Sequence, residues 1–145
     1  MKEIYTEIGI NASAEIVWEI ITDFDNFGEW NSFIKEISGV PKEGSQLKLF
    51  TKPPNSNGIG FKPKILKYEA EKEITWLGKL WIPKLFDGKH SLIIKKLDER
   101  SVLFVQKERF SGLLVPFLRN MLDNTKSGFE IMNHELKKEA EKRMK

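Results

Sequence analysis

The sequence predicts an α+β fold: a curved antiparallel sheet of six to seven strands wrapped around a long C-terminal helix, with two short helices after the first strand. Three observations predict it. Residues 3–10 alternate between apolar and polar side chains, residues 33–110 hold further short alternating segments, and residues 111–145 carry apolar side chains at three- and four-residue steps. Because short alternating strands are covered on one face, the long last segment should cover them.

Composition indicates one globular domain spanning residues 1–145. The chain is 40% hydrophobic and 31% charged, and it is long enough for a core without disulfides or structural metals. It contains no cysteine, which excludes disulfides, thiolate metal ligands and a cysteine nucleophile. The chain shows no secretory signal and no run of transmembrane length, so we expect a cytoplasmic protein without stable membrane insertion. We expect a monomer or a weak homodimer.

The charge distribution does not indicate a nucleic-acid partner. The net charge is +3, from 24 basic and 21 acidic residues that are interleaved along the chain, so no strong single-sign field is expected. Lys62, Lys64 and Lys67 form the densest basic cluster. A protein surface that binds nucleic acid would need more basic side chains, with aromatic side chains among them. We interpret these lysines as the solvated face of a strand and expect no nucleic-acid partner.

The first elements are a strand and two short helices. Ser13 is placed to cap the first helix, and Glu15 in its first turn favours the helix dipole. Residues 23–30 read as a second short helix or turn. The middle of the chain predicts strands near residues 33–38, 46–52, 61–71, 74–80, 90–97 and 102–110. The last two strands should form a hairpin through residues 98–100.

The tail predicts one long amphipathic helix over residues 111–145. Its apolar positions form a single stripe: Leu114, Leu118, Met121, Leu122, Thr125, Phe129, Met132, Leu136 and Ala140. Gly128 inside this helix costs about 1 kcal/mol relative to alanine, so close approach of a strand, a helix bend around the sheet or room for a ligand should explain it. A helix of this length exceeds the width of a small domain, so residues 137–145 should stand partly free.

Several local motifs resemble one superfamily. They are ASAEIVW at residues 12–18 followed by TDFDNFGEWN at 22–31, then FDGKH at 86–90, ERFSGLLVP at 108–116 and FEIMN at 129–133. The whole chain resembles the START-like helix-grip superfamily, which includes the polyketide cyclase/dehydrase and lipid-transport proteins, and in particular a bacterial branch of it. The resemblance implies a helix-grip fold with ligand space between sheet and helix. It specifies function weakly, because the superfamily hosts binding proteins, cyclases, hydroxylase modules and chaperone activators.

His90 and Glu108 are the candidate chemical pair. His90 shares a strand face with Leu92 and Ile94, and Glu108 shares one with Phe104 and Phe110. A three-residue hairpin loop would place the two opposite each other on the covered face. Such a pair could act as acid and base or clamp the polar end of a ligand. The alternative is a buried pair whose members satisfy each other.

The remaining candidates should line a ligand space. With His90 and Glu108, the set comprises Trp76, Trp81, Phe86, Phe104, Gln106, Phe110, Phe117, Met121 and Phe129. Trp81 lies in an apolar loop at residues 81–88, near the apolar approach to the helix at residues 113–117. That loop could pack on its neighbour, form the mouth of a cavity, or touch a membrane.

Three function classes follow. The favoured one is a binding module for a small, mostly hydrophobic molecule, lipid- or polyketide-like, held between sheet and helix. The second is a cyclase or dehydratase on a polyketide-like substrate, with His90 and Glu108 as base and acid. The third is a protein-interaction module of the chaperone-activator type. We expect no cofactor, and no residues have metal-ligand spacing.

Overall fold

A computed structural model describes residues 2–79 and 86–144 of the chain. The strands are β1 (Lys2–Ile10), β2 (Ile34–Ser38), β3 (Lys48–Thr51), β4 (Ile59–Phe61), β5 (Lys64–Glu69), β6 (Glu73–Lys79), β7 (Asp87–Asp98) and β8 (Ser101–Ser111). The helices are α1 (Ala14–Thr22), α2 (Phe27–Trp30) and α3 (Arg119–Arg143), with 3₁₀ turns at Phe24–Asn26 and Val115–Phe117.

The strands pair antiparallel throughout the described residues. Five form a sheet in the order β1-β8-β7-β6-β5, and three form a second sheet in the order β2-β3-β4. A bridge between Gln46 and Lys64 joins the two sheets into one wrapped surface. Seven of these strands follow α2. The predicted α+β class, with a curved antiparallel sheet and a long C-terminal helix, is confirmed.

The β7–β8 hairpin is tighter than predicted and keeps the predicted register. Asp98 pairs with Ser101, so two residues form the turn, and the pairing shifts by one residue between Lys96 and Asp98. This β-bulge adds one residue to β7 and compensates for the shorter turn. The side chains of the even-numbered residues 88–94 and 102–110 therefore share the covered face.

The N-terminal helices form as their sequence predicts. Ser13 Oγ accepts a hydrogen bond from the Ile16 amide at 3.2 Å, which makes Ser13 the N-cap of α1. The segment predicted as a second short helix or turn is a 3₁₀ turn followed by α2. Phe27 packs edge-to-face against both Phe24 and Trp30, and this aromatic cluster anchors the segment to the core.

Helix α3 covers the concave face of the five-stranded sheet. It begins at Arg119, later than predicted, because Pro116 lies in a separate 3₁₀ turn. Its buried residues are Leu122, Thr125, Gly128, Phe129, Met132, Asn133, Leu136 and Ala140. At Gly128, an added Cβ would lie 2.5 Å from the ring of Phe33. The close approach of Phe33 explains this glycine within a helix.

The expectation that the end of α3 stands partly free is wrong. Ala140 is fully buried. Lys137 Nζ donates to the Gly9 carbonyl at 3.0 Å, and Glu141 accepts from the Asn11 amide at 2.9 Å. These contacts dock the last turns on the end of β1, because the helix runs along that strand. Glu139 and Arg143, which lie four residues apart on the helix, form an ion pair at 2.9 Å.

Candidate ligand site on the covered face of the sheet

One row of side chains crosses the covered face between β6 and β1. Trp76 pairs with His90, His90 pairs with Glu108, and Glu108 pairs with Ile4. Paired residues of adjacent antiparallel strands project from the same face of a sheet. His90 therefore lies between Trp76 and Glu108 beneath α3, in the register that the sequence predicts.

His90 belongs to a chain of buried hydrogen bonds. Its Nε2 lies 2.8 Å from Gln106 Oε1, and Gln106 Nε2 donates to Asn133 Oδ1 at 2.8 Å. Asn133 Nδ2 donates to Thr6 Oγ1 at 2.9 Å, and Thr6 Oγ1 donates to the Gln106 carbonyl at 2.8 Å. The chain links β7, β8, α3 and β1.

Two backbone carbonyls, which can only accept, determine the direction of this chain. Thr6 donates to the Gln106 carbonyl, and Gln106 Nε2 also faces the Phe129 carbonyl at 3.4 Å. Reversing the chain would turn Gln106 Oε1 towards the Phe129 carbonyl and remove the bond from Thr6. Gln106 Oε1 therefore accepts, and His90 is the Nε2–H tautomer with an unprotonated Nδ1.

The surroundings of His90 are apolar. Phe129 stacks on its ring at 4.6 Å between centroids and 12° between planes, and Trp76 packs edge-to-face at 5.1 Å. Burial, partly offset by the hydrogen bond to Gln106, lowers the pKa of His90 to about 4. The imidazole is therefore neutral at physiological pH.

Glu108 has a different environment. Its carboxyl leans over Gly88, where an added Cβ would collide with it and lie 3.4 Å from the Phe110 ring. Glu108 is half-buried, and it forms no hydrogen bond or ion pair with any described residue. Burial raises the pKa of Glu108 to about 8. At neutral pH, most of this carboxyl is protonated and can donate a hydrogen bond.

His90 and Glu108 do not bond to each other. The His90 ring is held by Gln106, and the Glu108 carboxyl extends in the other direction, towards Gly88. A base with a pKa near 4 is also weak at neutral pH. This arrangement favours two separate polar contacts over a directly coupled acid–base pair.

Phe110 lies beside the carboxyl of Glu108, because a Cβ added at Gly88 would contact both. Phe86 and Phe110 are buried and stack at 5.4 Å with 14° between their planes. At the same end of the sheet, Lys2 pairs with Phe110. There a pocket of ≈ 350 Å³ is lined by Lys2, Val115, Pro116, Arg119 and Leu122. This pocket adjoins the start of α3.

Two buried polar atoms on β6 and β7 have no hydrogen-bond partner among the described residues. They are Nε1 of Trp76 and Oδ1 of Asp87. Trp76 is 1% exposed, so the lack of a partner for its indole N–H costs about 1–3 kcal/mol. Unused donors and acceptors of this kind indicate where an external group could bind.

The other predicted site residues lie in three environments. Phe104 and Gln106 are fully buried on β8, and Phe129 is fully buried on α3. Met121 is half-buried beside the core, whereas Phe117 is 81% exposed on the outer surface. The prediction for Trp81 lies outside the described residues.

Asn133 and Thr6 are not among the site residues predicted from the sequence. Asn133 is 2% exposed and Thr6 is 7% exposed, and both belong to the hydrogen-bond chain. The pattern contained a signal for Asn133, because it lies four residues after Phe129 and three before Leu136 on the apolar stripe. Because Asn133 is polar, a stripe defined by apolar side chains alone does not include it.

The described residues contain no group of three or more side chains suited to hold a metal ion. Within the same residues, no helix is long and apolar enough to cross a membrane.

An antiparallel sheet wrapped around a long C-terminal helix, with polar groups facing that helix, defines the START-like helix-grip class. The sequence matches the model of the family "Polyketide cyclase / dehydrase and lipid transport" over residues 1–141. The chain belongs to this family. The family supports a ligand-binding or cyclase role. No curated protein matches the sequence.

Solved structures with the same fold have low sequence identity. The Zhui aromatase/cyclase from Streptomyces sp. R1128 superposes with a TM-score of 0.77 at 14% identity, over 99% of this chain and 96% of that one. A START superfamily protein from Mycobacterium smegmatis gives 0.75 at 19% identity, over 97% and 98%. The di-domain ARO/CYC BexL from the BE-7585A biosynthetic pathway gives 0.73 at 12% identity, over 94% of this chain and 46% of that one. This chain therefore spans about half of the di-domain protein.

Proposed function

We propose that the protein binds a small, mostly apolar molecule between the sheet and the first half of α3. The observation that carries this proposal is the Glu108 carboxyl, which lies beside the Phe86–Phe110 stack without a partner in the described part of the chain. An unpaired carboxyl facing apolar walls is suited to orient the polar end of a ligand. The family supports the same class of ligand.

The binding free energy would come from both kinds of contact. Burial of apolar surface stabilises a complex by ~25 cal/mol per Å² before the costs of association are subtracted. The protonated Glu108 would donate to a carbonyl or hydroxyl oxygen of the ligand. Above pH 8 the carboxyl ionises, and an apolar ligand would then desolvate a charge, so its affinity should fall.

A second candidate function is that of a cyclase or dehydratase on a polyketide-like substrate. The pKa of Glu108, about 8, favours it, because a general acid works best when its pKa lies near the working pH. Glu108 would protonate the leaving hydroxyl as its carbon–oxygen bond breaks, and the resulting carboxylate would take the proton from the adjacent carbon, so that a double bond forms and one water leaves. His90, with its low pKa, would position the substrate through a hydrogen bond instead of acting as a strong base.

Native mass spectrometry of the freshly purified protein tests the first proposal. A bound lipid- or polyketide-sized molecule retained through purification would support it and reveal its mass. The cyclase alternative predicts a mass change of one water in that molecule on prolonged incubation, and that change should be absent in Glu108→Gln.

A titration with the neutral fluorophore 1-aminoanthracene tests the role of Glu108. We expect the wild-type protein to bind the probe at pH 6.5 and to lose about tenfold in affinity by pH 9.5, as a charge becomes buried. Glu108→Gln should bind with little dependence on pH. Glu99→Gln is the matched control, because the Glu99 side chain is 89% exposed in the hairpin turn. An identical pH profile for wild type and Glu108→Gln would contradict the assignment.

A further inference from the structure

Two buried residues of the candidate site, Trp76 and His90, carry polar atoms of complementary hydrogen-bonding capacity. The Nε1–H group of Trp76 is a donor without an acceptor among the described residues. Nδ1 of His90 is left as an acceptor because the proton lies on Nε2, and within the described part of the chain it receives no hydrogen bond. Trp76 and His90 are 1% and 4% exposed and are paired residues of adjacent strands.

The two rings adjoin each other in edge-to-face contact, so their polar atoms belong to one neighbourhood. Their centroids are 5.1 Å apart and their planes make an angle of 73°. Phe129 stacks on His90 at 4.6 Å, so the surroundings are apolar. A group bound here must accept from the indole and donate to the imidazole. A ketone or an ether oxygen only accepts, whereas a hydroxyl does both.

We propose that Trp76 and His90 form a recognition site for the hydroxyl group of an apolar ligand such as a phenol or an enol. The hydroxyl oxygen accepts from Trp76 Nε1–H, and its hydrogen is donated to His90 Nδ1. Gln106, Asn133 and Thr6 are positioning residues, since their hydrogen-bond chain holds His90 in the required tautomer. This inference rests on the proposed function and adds the chemical class of the ligand.

Two probes with the same ring system test the inference: 2-naphthol, which carries a hydroxyl group, and 2-methoxynaphthalene, which cannot donate. Isothermal titration calorimetry at pH 7 should show that the wild-type protein binds 2-naphthol about tenfold more tightly. Trp76→Phe keeps an aromatic ring but removes the donor, and it should reduce this ratio to about threefold. The ratio is the readout because the smaller ring affects both probes.

The matched control is Trp18→Phe. Trp18 packs edge-to-face on Tyr68 at 5.1 Å, outside the row of Trp76, His90 and Glu108. This variant removes an indole N–H group elsewhere and should leave the ratio unchanged. Circular dichroism would establish that both variants are folded.

Nitrogen NMR of the wild-type protein provides a second readout that does not depend on any variant. The ¹⁵N shifts of the His90 ring should report a proton on Nε2, and 2-naphthol should move the Nδ1 resonance whereas 2-methoxynaphthalene should not. Asn133→Ala should broaden the distribution between the tautomers, which a purely packing role for Asn133 would not do.

Each other outcome overturns the inference in a recognisable way. Equal affinity for both probes with an unchanged Nδ1 resonance would refute hydroxyl recognition and leave the proposed apolar binding intact. An Nδ1 resonance that already reports a hydrogen bond and is unaffected by 2-naphthol would mean that the site holds a resident water only. If neither probe nor 1-aminoanthracene binds, the proposed function fails and this inference fails with it.

Discussion

Two parts of the covered face differ in whether their polar side chains have hydrogen-bond partners. Around Gln106, the polar side chains of the hydrogen-bond network that includes Asn133 and Thr6 all have partners at 2.8–2.9 Å. One row further along the strands, Trp76 Nε1 is buried without a partner among the described residues. The half-buried Glu108 carboxyl forms no hydrogen bond or ion pair with any of them. His90 lies at the boundary, with one ring nitrogen in each part.

The difference separates stability from binding. A satisfied buried network holds its elements together and is expensive to break, because removing one member leaves others unpaired. Unsatisfied buried groups lower stability and gain free energy when an external group pairs with them. The satisfied network of Gln106, Asn133 and Thr6, called here the closed part, therefore fixes α3 on the sheet. The row of Trp76, His90 and Glu108, called the open part, is left for a ligand.

The largest effect should come from breaking the closed part. Asn133→Ala removes the acceptor of Gln106 and the donor to Thr6, and it leaves a small cavity. We expect a loss of about 3 kcal/mol in the free energy of unfolding, measured by urea denaturation. The adjacent variant His134→Ala changes an exposed side chain and should be nearly neutral. A loss below about 1 kcal/mol for Asn133→Ala would contradict a structural role for the network.

Removing the carboxyl from the open part should stabilise the protein at high pH. The folded state holds the Glu108 proton up to a pKa of about 8, whereas an ordinary carboxyl releases it near 4.5. Between these values the unfolded state binds fewer protons, so wild-type stability falls as pH rises. Because Glu108 is half-buried, we expect Glu108→Gln to be about 2 kcal/mol more stable at pH 8 and similar to wild type at pH 4.

That measurement must avoid the pH range in which His90 titrates, because His90 changes the folding stability with pH in the opposite direction. Its pKa is lowered from 6.5 to about 4, so the unfolded state binds more protons in this interval and stability falls as pH decreases. Urea denaturation between pH 6.5 and 8 isolates the effect of Glu108. Parallel profiles for wild type and Glu108→Gln in this range would show that the carboxyl is solvated.

A smaller effect should follow from filling the space beside Gly128. Gly128→Ala gains about 1 kcal/mol of helix propensity but forces the ring of Phe33 to move. Overpacking typically costs 1–3 kcal/mol, so we expect a net loss of about 1 kcal/mol. Phe33→Leu in the same background should recover part of it. A Gly128→Ala variant more stable than wild type would show that Phe33 moves freely.

The smallest effect should come from the outer surface. Phe117 is 81% exposed, so Phe117→Ser should change the free energy of unfolding by less than about 0.5 kcal/mol. Affinity for 1-aminoanthracene should also stay unchanged. A marked loss of probe binding would place Phe117 in the site, as the sequence analysis predicts.

Periodicity predicted the fold because both sheet and helix bury one face. Ser13 as N-cap and His90 opposite Glu108 follow from the same local rules. The hydrogen-bond partners of buried side chains do not follow from these rules, because Gln106, Asn133 and Thr6 lie on three separate elements. The docked end of α3 was missed for the same reason. Its contacts to Gly9 and Asn11 join residues more than a hundred positions apart.

The most direct test of the account is to map the binding position of 1-aminoanthracene by ¹H–¹⁵N NMR. Binding between the sheet and α3 predicts shifts for Gly88, Glu108, Phe110 and Leu122, with Leu97 in the distant hairpin unchanged. The account would be contradicted if the shifts were confined to the exposed Leu113 and Phe117.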